Sequence, residues 1–264
     1  MNPAESLRLI RERRPLVHHI MNFVAMNDAA NATLAIGASP IMALAEEELE
    51  EIASAADAIY INIGTPTPLL LSSALKLARL AGSYGKPLLL DPVGVGASSF
   101  RRKIAAEVLS TGAVRVLKGN AGEMLALAGK GGLSRGVESS VEEAYEPLER
   151  LSKEYGVVAV STGKTDYVAY GSRLAAVMGG SELFRLITGS GCMLGSVMTS
   201  FLAVQESFRA AAEASAAFKL AGELAELKAG RNPGSFRVEL LNALHSLHYR
   251  DLETLAERIR LLRP

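Results

Sequence analysis

The chain has 264 residues, 49% hydrophobic and 21% charged, so it is too apolar for a disordered polymer and long enough to bury a sizeable core. Its 28 Lys and Arg balance 28 Asp and Glu, and with no basic run there is no field to hold a nucleic-acid backbone. A single cysteine excludes an internal disulfide and fits a reducing compartment, so a cytoplasmic location is expected.

In chain order, short apolar runs alternate with helical ones. Asn2 and Pro3 open a helix over 2–14, and 16–19 reads as a short strand. Residues 27–36 read as a helix stopped by Gly37, and 46–56 as a helix with acidic residues in its first turn. A strand over 58–63, a helix over 69–83 and a buried strand over 87–90 ending at Asp91 follow. Helix 100–110, strand 114–117 and helix 120–128 come next, the last opening with Asn120 and Glu123 in capping-box spacing. Residues 130–136 read as a loop and 141–155 as a helix. Strands are expected at 157–161, 167–170 and 173–177, the last two as a hairpin across Gly171. Beyond Gly191 the pattern is helical almost to the end, including amphipathic helices at 210–227 and 252–262.

Repeated strand–helix units predict a three-layer α/β/α arrangement around a mostly parallel central sheet. No composition break or internal repeat divides the chain, so one domain over 1–264 is expected. The uncharged stretch 58–75 is broken by Pro66 and Pro68. The stretch 186–205 opens with Thr188, Gly189, Ser190 and Gly191, and carries Ser196, Thr199 and Ser200. It reads as a glycine-rich turn feeding a buried helix, not as a membrane span. Residues 1–15 hold charges and no apolar core of a secretory signal.

In such a sheet ligands bind beyond the carboxyl ends of the strands. The polar residues expected there are Asn22, Asp91, Lys118, Thr162 and the turn at Gly189. The turn Thr188-Gly-Ser-Gly-Cys192 lets backbone N–H groups converge at a helix start, an anion hole for a phosphate. Cys192 in that first turn is expected to have a lowered thiol pKa; the plain alternative is a tight turn with a small buried Cys. Asp91 either holds Mg²⁺ or caps the turn that follows it. Lys118 either meets a phosphate as a point charge or is a solvated cation, and Glu123 either binds metal or completes a helix cap. Gly163-Lys-Thr165 is no P-loop, since Val158 stands where the first glycine is required. His18 and His19 are adjacent and face opposite sides of a strand, and His245 and His248 have no metal-binding frame around them.

The ordered set of motifs resembles one family. Val17-His-His-Ile-Met-Asn22, Asn27-Asp-Ala-Ala-Asn31 and Gly37-Ala-Ser-Pro-Ile-Met-Ala43 are similar to the start of the hydroxyethylthiazole kinases, of the ribokinase-like superfamily. The resemblance continues through Asp91-Pro-Val-Gly-Val-Gly-Ala97, Lys118-Gly-Asn-Ala-Gly-Glu123, Thr162-Gly163, Thr188-Gly-Ser-Gly-Cys192 and Pro233-Gly-Ser-Phe-Arg-Val238. It implies a ribokinase-like fold and ATP-dependent phosphorylation of the alcohol of 4-methyl-5-(2-hydroxyethyl)thiazole, in thiamine salvage. It also implies a homotrimer. By residue, the resemblance assigns Met42 and Gly189 to the thiazole, Lys118 and Thr162 to the nucleotide, Asp91 and Glu123 to Mg²⁺ and the phosphates, and Cys192 to the catalytic position. For a small thiazole so implied, an apolar wall from Met42 with Asn22 or backbone donors is a suitable pocket. The chain departs from the family pattern at Lys118, usually Arg, at Met21, usually Thr, and at His19, commonly Cys. A lysine keeps the charge and loses the bidentate fork. Three other readings share the fold: a kinase for another small alcohol such as a hydroxymethylpyrimidine, an ATP- or ADP-dependent dehydratase of hydrated nicotinamide cofactors, and a non-catalytic nucleotide binder.

Overall fold

The computed structural model describes residues 2–129, 141–248 and 254–263. The loop expected over 130–136 lies outside them. The chain runs α1 (Pro3–Arg13), β1 (Leu16–Ile20), α2 (Met26–Ile36), β2 (Ser39–Met42), α3 (Leu49–Ala55), β3 (Ala58–Asn62), α4 (Pro68–Ser83), β4 (Leu88–Asp91) and α5 (Ser99–Ser110). It continues with β5 (Val114–Asn120), α6 (Ala121–Leu127), α7 (Val141–Tyr155), β6 (Val158–Thr162) and the hairpin β7 (Asp166–Tyr170) and β8 (Arg173–Val177). It ends with α8 (Ser190–Leu202), α9 (Ser207–Ala229), α10 (Pro233–Ser246) and β9 (Ile259–Arg263).

The strands form one nine-stranded sheet in the order β2-β1-β3-β4-β5-β6-β7-β8-β9. Every pairing from β2 to β6 is parallel; β7, β8 and β9 pair antiparallel. Alternate strand residues serve opposite faces. Val17, Tyr60, Leu89, Val116 and Val160 pack with α1, α2, α8, α9 and α10. Ile20, Ile59, Ile61, Leu90 and Leu117 pack with α3, α4, α5, α6 and α7. Both faces are therefore covered, which is why the central strands read as unbroken apolar runs.

One expectation fails, and one strand is unforeseen. The segment 252–262 was expected to be one amphipathic helix; instead a 3-10 turn, Thr254–Arg258, leads into β9, which pairs with β8 from Leu174 to Val177. The exposed edge of β8 supplies backbone partners that local periodicity cannot foresee. Strand β2 has no counterpart in the sequence reading because Pro40 interrupts its run. An edge strand tolerates Pro, and β2 is the edge. Among the described residues no helix is long and apolar enough to cross a membrane.

Candidate active site

The strand order reverses at β1: the chain leaves it first toward β2 and then crosses to β3 on its other side. Such a reversal opens a crevice beyond the carboxyl ends of the two neighbouring strands. Asn22 lies just past β1 and Asn62 ends β3, and the Asn22 Nδ2 group donates to Asn62 Oδ1 at 2.8 Å across this crevice. Asn62 pairs in register with Asp91, the last residue of β4. Asn120, the last residue of β5, stands opposite Thr162, the last of β6. In sheet order the strand ends thus read Met42, Asn22, Asn62, Asp91, Asn120 and Thr162, with Lys118 two residues before the end of β5. At the usual strand spacing this row is about 24 Å long.

The middle of the row is a buried polar network. Asp91 Oδ2 accepts from Lys118 Nζ at 2.7 Å and from the Tyr60 hydroxyl at 2.9 Å. Lys118 also donates to the Gly191 carbonyl at 2.8 Å, in the first turn of α8. Asn62 Nδ2 reaches the Tyr60 oxygen at 3.0 Å and Cys192 Sγ at 3.2 Å, and Asn22 Nδ2 lies 3.5 Å from the same sulfur. Asp91 Oδ1 is buried and has no hydrogen-bond partner among the described residues. With Asn62 Nδ2 at 3.4 Å as a third donor to Oδ2 and none to Oδ1, a hard anionic ligand is left free.

Above this floor sits the start of α8. Gly189, at φ 86°, caps the helix in the left-handed region open to glycine, and its α-hydrogens face Ala25 where a Cβ would come within 3.0 Å. The first helical bond runs from Met193 N to Gly189 O at 2.9 Å. The N–H groups of Ser190, Gly191 and Cys192 precede it and have no intrahelical acceptor, and no side chain caps this helix. With the positive end of the helix dipole they form an anion cradle. The helix behind is buried at every residue from Cys192 to Leu202, so the cradle is rigidly seated.

Two expectations about charge change here. The thiol of Cys192 is pushed up, not down: burial dominates, the Asp91 carboxylate adds to it, and Lys118 only partly offsets them. Lys118 is no solvated cation, since its side chain is 4% exposed against 1% for Asp91. Burial opposes its charge, but the partnership with Asp91 holds its pKa above the ordinary lysine value. Glu123 is raised by burial and by Asp91. Its Oε1 accepts from Gly94 N and its Oε2 from Asn120 N, both at 2.8 Å, so it closes the capping box and the β4 loop together.

A model of the Hydroxyethylthiazole kinase family matches residues 7–250. The chain belongs to the hydroxyethylthiazole kinase family. The hydroxyethylthiazole kinase of Caldivirga maquilingensis is 50% identical over 242 residues, 91% of each chain. That of Pyrococcus furiosus is 46% identical over 96% of each chain. A solved structure of the Pyrococcus horikoshii protein of this name superposes with a TM-score of 0.90 at 42% identity over 99% of both chains. A pyridoxal kinase from Staphylococcus aureus shares the fold, with a TM-score of 0.62 at 15% identity, over 78% of this chain and 87% of its own. The fold is thus the ribokinase-like one of the hydroxyethylthiazole kinase family.

Of the residues singled out from the sequence, Asn22, Asp91, Lys118 and Cys192 share one hydrogen-bonded network. Met42 and Thr162 stand at the two flanks; Met42 is half-buried, and Thr162 Oγ1 donates to Gly119 O at 3.3 Å. His18 and His19 are buried apart, bonded to Ala43 O and to Ser196 Oγ respectively. The sequence reading missed Asn62, Tyr60 and Arg101. Arg101 ties the β3 and β4 loops together through Ile63 O, Gly64 O and Val93 O. Asn62 was findable as a polar strand end, whereas Tyr60 looks like one more apolar strand residue.

The donor set suits Mg²⁺. That ion takes one or two carboxylates and completes its shell with water and phosphate oxygens. Among the described residues no three His, Cys, Asp or Glu converge, and Asp91 offers its free buried oxygen.

Proposed function

We propose that this chain transfers the γ-phosphoryl group of ATP to the primary hydroxyl of 4-methyl-5-(2-hydroxyethyl)thiazole, in thiamine salvage. Family membership supports the reaction. The observation that carries the division of labour is the order of the strands, with apolar Met42 and the Asn22 amide near one flank and Lys118 of β5 and Thr162 of β6 at the other. The small thiazole suits the first flank and the triphosphate the second.

Asn22 and Met42 hold the thiazole, with Gly189 closing over it. Lys118 and Thr162 contact the phosphates. Asp91 and Glu123 hold Mg²⁺, which offsets triphosphate charge when bound. The amides of Ser190, Gly191 and Cys192 take up the equatorial oxygens of the moving phosphoryl group. The hydroxyl oxygen forms the new P–O bond, the bond to ADP breaks, and the hydroxyl proton passes late to an oxygen of the transferred phosphoryl group and from there to solvent. Such a loose transition state needs positioning more than proton removal. Cys192, kept as a thiol by burial and Asp91, serves to seat the hydroxyl. We further read 1–264 as one cytoplasmic domain that assembles as a homotrimer.

An ADP-release assay with a panel of small alcohols tests the reading. The thiazole alcohol is expected to give the highest kcat/KM. A hydroxymethylpyrimidine turning over faster, or ATP binding without turnover on any alcohol, would overturn it.

A further inference from the structure

The nucleotide flank rests on a buried ion pair that the reaction itself does not use. Lys219, on α9, has a side chain only 7% exposed, and Asp166, at the start of β7, one 3% exposed; Nζ and Oδ1 are 3.2 Å apart. The ammonium also donates to Gly163 O at 3.0 Å, Lys164 O at 3.1 Å and Gly179 O at 3.2 Å. Asp166 Oδ1 in turn accepts from Gly163 N at 2.9 Å. Gly163 and Lys164 form the turn immediately after Thr162. Gly179 lies two residues past β8, in the segment that runs to the α8 cradle.

One cation therefore grips both walls of the nucleotide end. The same helix holds the second wall again, one turn on. Glu223 Oε1 accepts from Gly180 N at 2.8 Å. Phe218 stacks on Phe184, with ring centroids 5.1 Å apart, and Phe184 lies directly over Gly222. The Phe184 carbonyl accepts from Ser190 Oγ at 2.8 Å, which carries the anchorage into the cradle. A buried ion pair is a poor choice for stability alone, since well-packed apolar residues of the same volume do as well or better. Its use is to fix geometry.

We propose that Lys219 is a positioning residue for the nucleotide, its buried ammonium holding the turn after β6 and the segment after β8 in register around the triphosphate. The proposal rests on the kinase reading for its ligand. It predicts that the thiazole flank, built on β1, β2 and β3, is indifferent to the pair.

The test is calorimetric titration of the full chain with ADP and, separately, with the thiazole alcohol. The variant K219Q/D166N removes both charges at nearly constant volume. ADP affinity is expected to fall about tenfold or more, as for loss of charged hydrogen bonds. Thiazole alcohol affinity should stay within about twofold. Amide exchange should quicken at 163–166 and 179–187 and not in β1. Equal losses for both ligands, or an unchanged ADP affinity, overturn the proposal. If the double variant is insoluble, Asp166→Asn alone is read by the same criteria. A wild-type chain that takes up ADP but no thiazole alcohol defeats the substrate assignment, and the ADP ratio with the exchange pattern still decides the role of Lys219.

Discussion

The sulfur of Cys192 is buried beside a carboxylate, and both favour its neutral form against the two carboxamide N–H groups, of Asn22 and Asn62, that donate to it. A helix start normally lowers a thiol pKa. Here burial wins: Cys192 lies in the first turn of α8, but its sulfur is buried against Asn22 and Asn62. Cys192→Ala is therefore expected to cut kcat by less than about tenfold, well short of the ~10² that loss of a true general base costs. A larger fall in steady-state assays would make the thiol a proton acceptor. Cys192→Asp places a carboxylate in the same buried spot beside Asp91, where its pKa rises toward neutrality. Turnover should be kept or raised, with a new acidic limb in its pH profile. Asp91 and Lys118 were legible as polar ends of apolar strands. Their pairing was not, since 27 residues separate the two and only the sheet brings them together.

Helix α8 shows how an element is shaped for its site. Gly195 faces Tyr60 so closely that a Cβ would overlap the phenol oxygen. That hydroxyl is the donor to Asp91 Oδ2. Gly195→Ala is thus expected to push Tyr60 aside, destabilise the fold by about 1–3 kcal/mol as overpacking does, and lower kcat. Thermal unfolding and steady-state assays on the same sample check both. An unchanged Tm would show that Tyr60 yields without cost. Element types were readable wherever local pattern and tertiary role agree, as in β3, β4 and β5. They were unreadable in β2 and β9, where Pro40 and the charges of Arg260 and Arg263 disguise edge strands that exist through their neighbours' backbone.

For the molecule as a whole, the buried imidazoles of His18 and His19 contribute a loss of stability toward acid. His19 joins β1 to α8 through Ser196, and burial lowers its pKa from 6.5 to about 4. As pH falls from about 6.5 to about 4 the unfolded chain gains this proton and the folded chain does not, so stability is lost over that window. The loss is roughly 3 kcal/mol at most. His18, also lowered by burial, acts in the same sense. The raised Glu123 and Asp166 act in the opposite one, and cancel when variants are compared. Urea unfolding midpoints between about pH 4 and pH 7 should therefore slope less steeply in His19→Gln than in the wild type. Parallel slopes would remove His19 from the acid response.

The burial of Lys118 against Asp91 has one more result, and it concerns salt. Mobile ions screen only what they can approach. Added potassium chloride will loosen outward ties such as Arg8 with Glu5 and Glu12 on α1, each more than 40% exposed. It leaves the inner pair at full strength, so the catalytic floor should outlast the surface as ionic strength climbs.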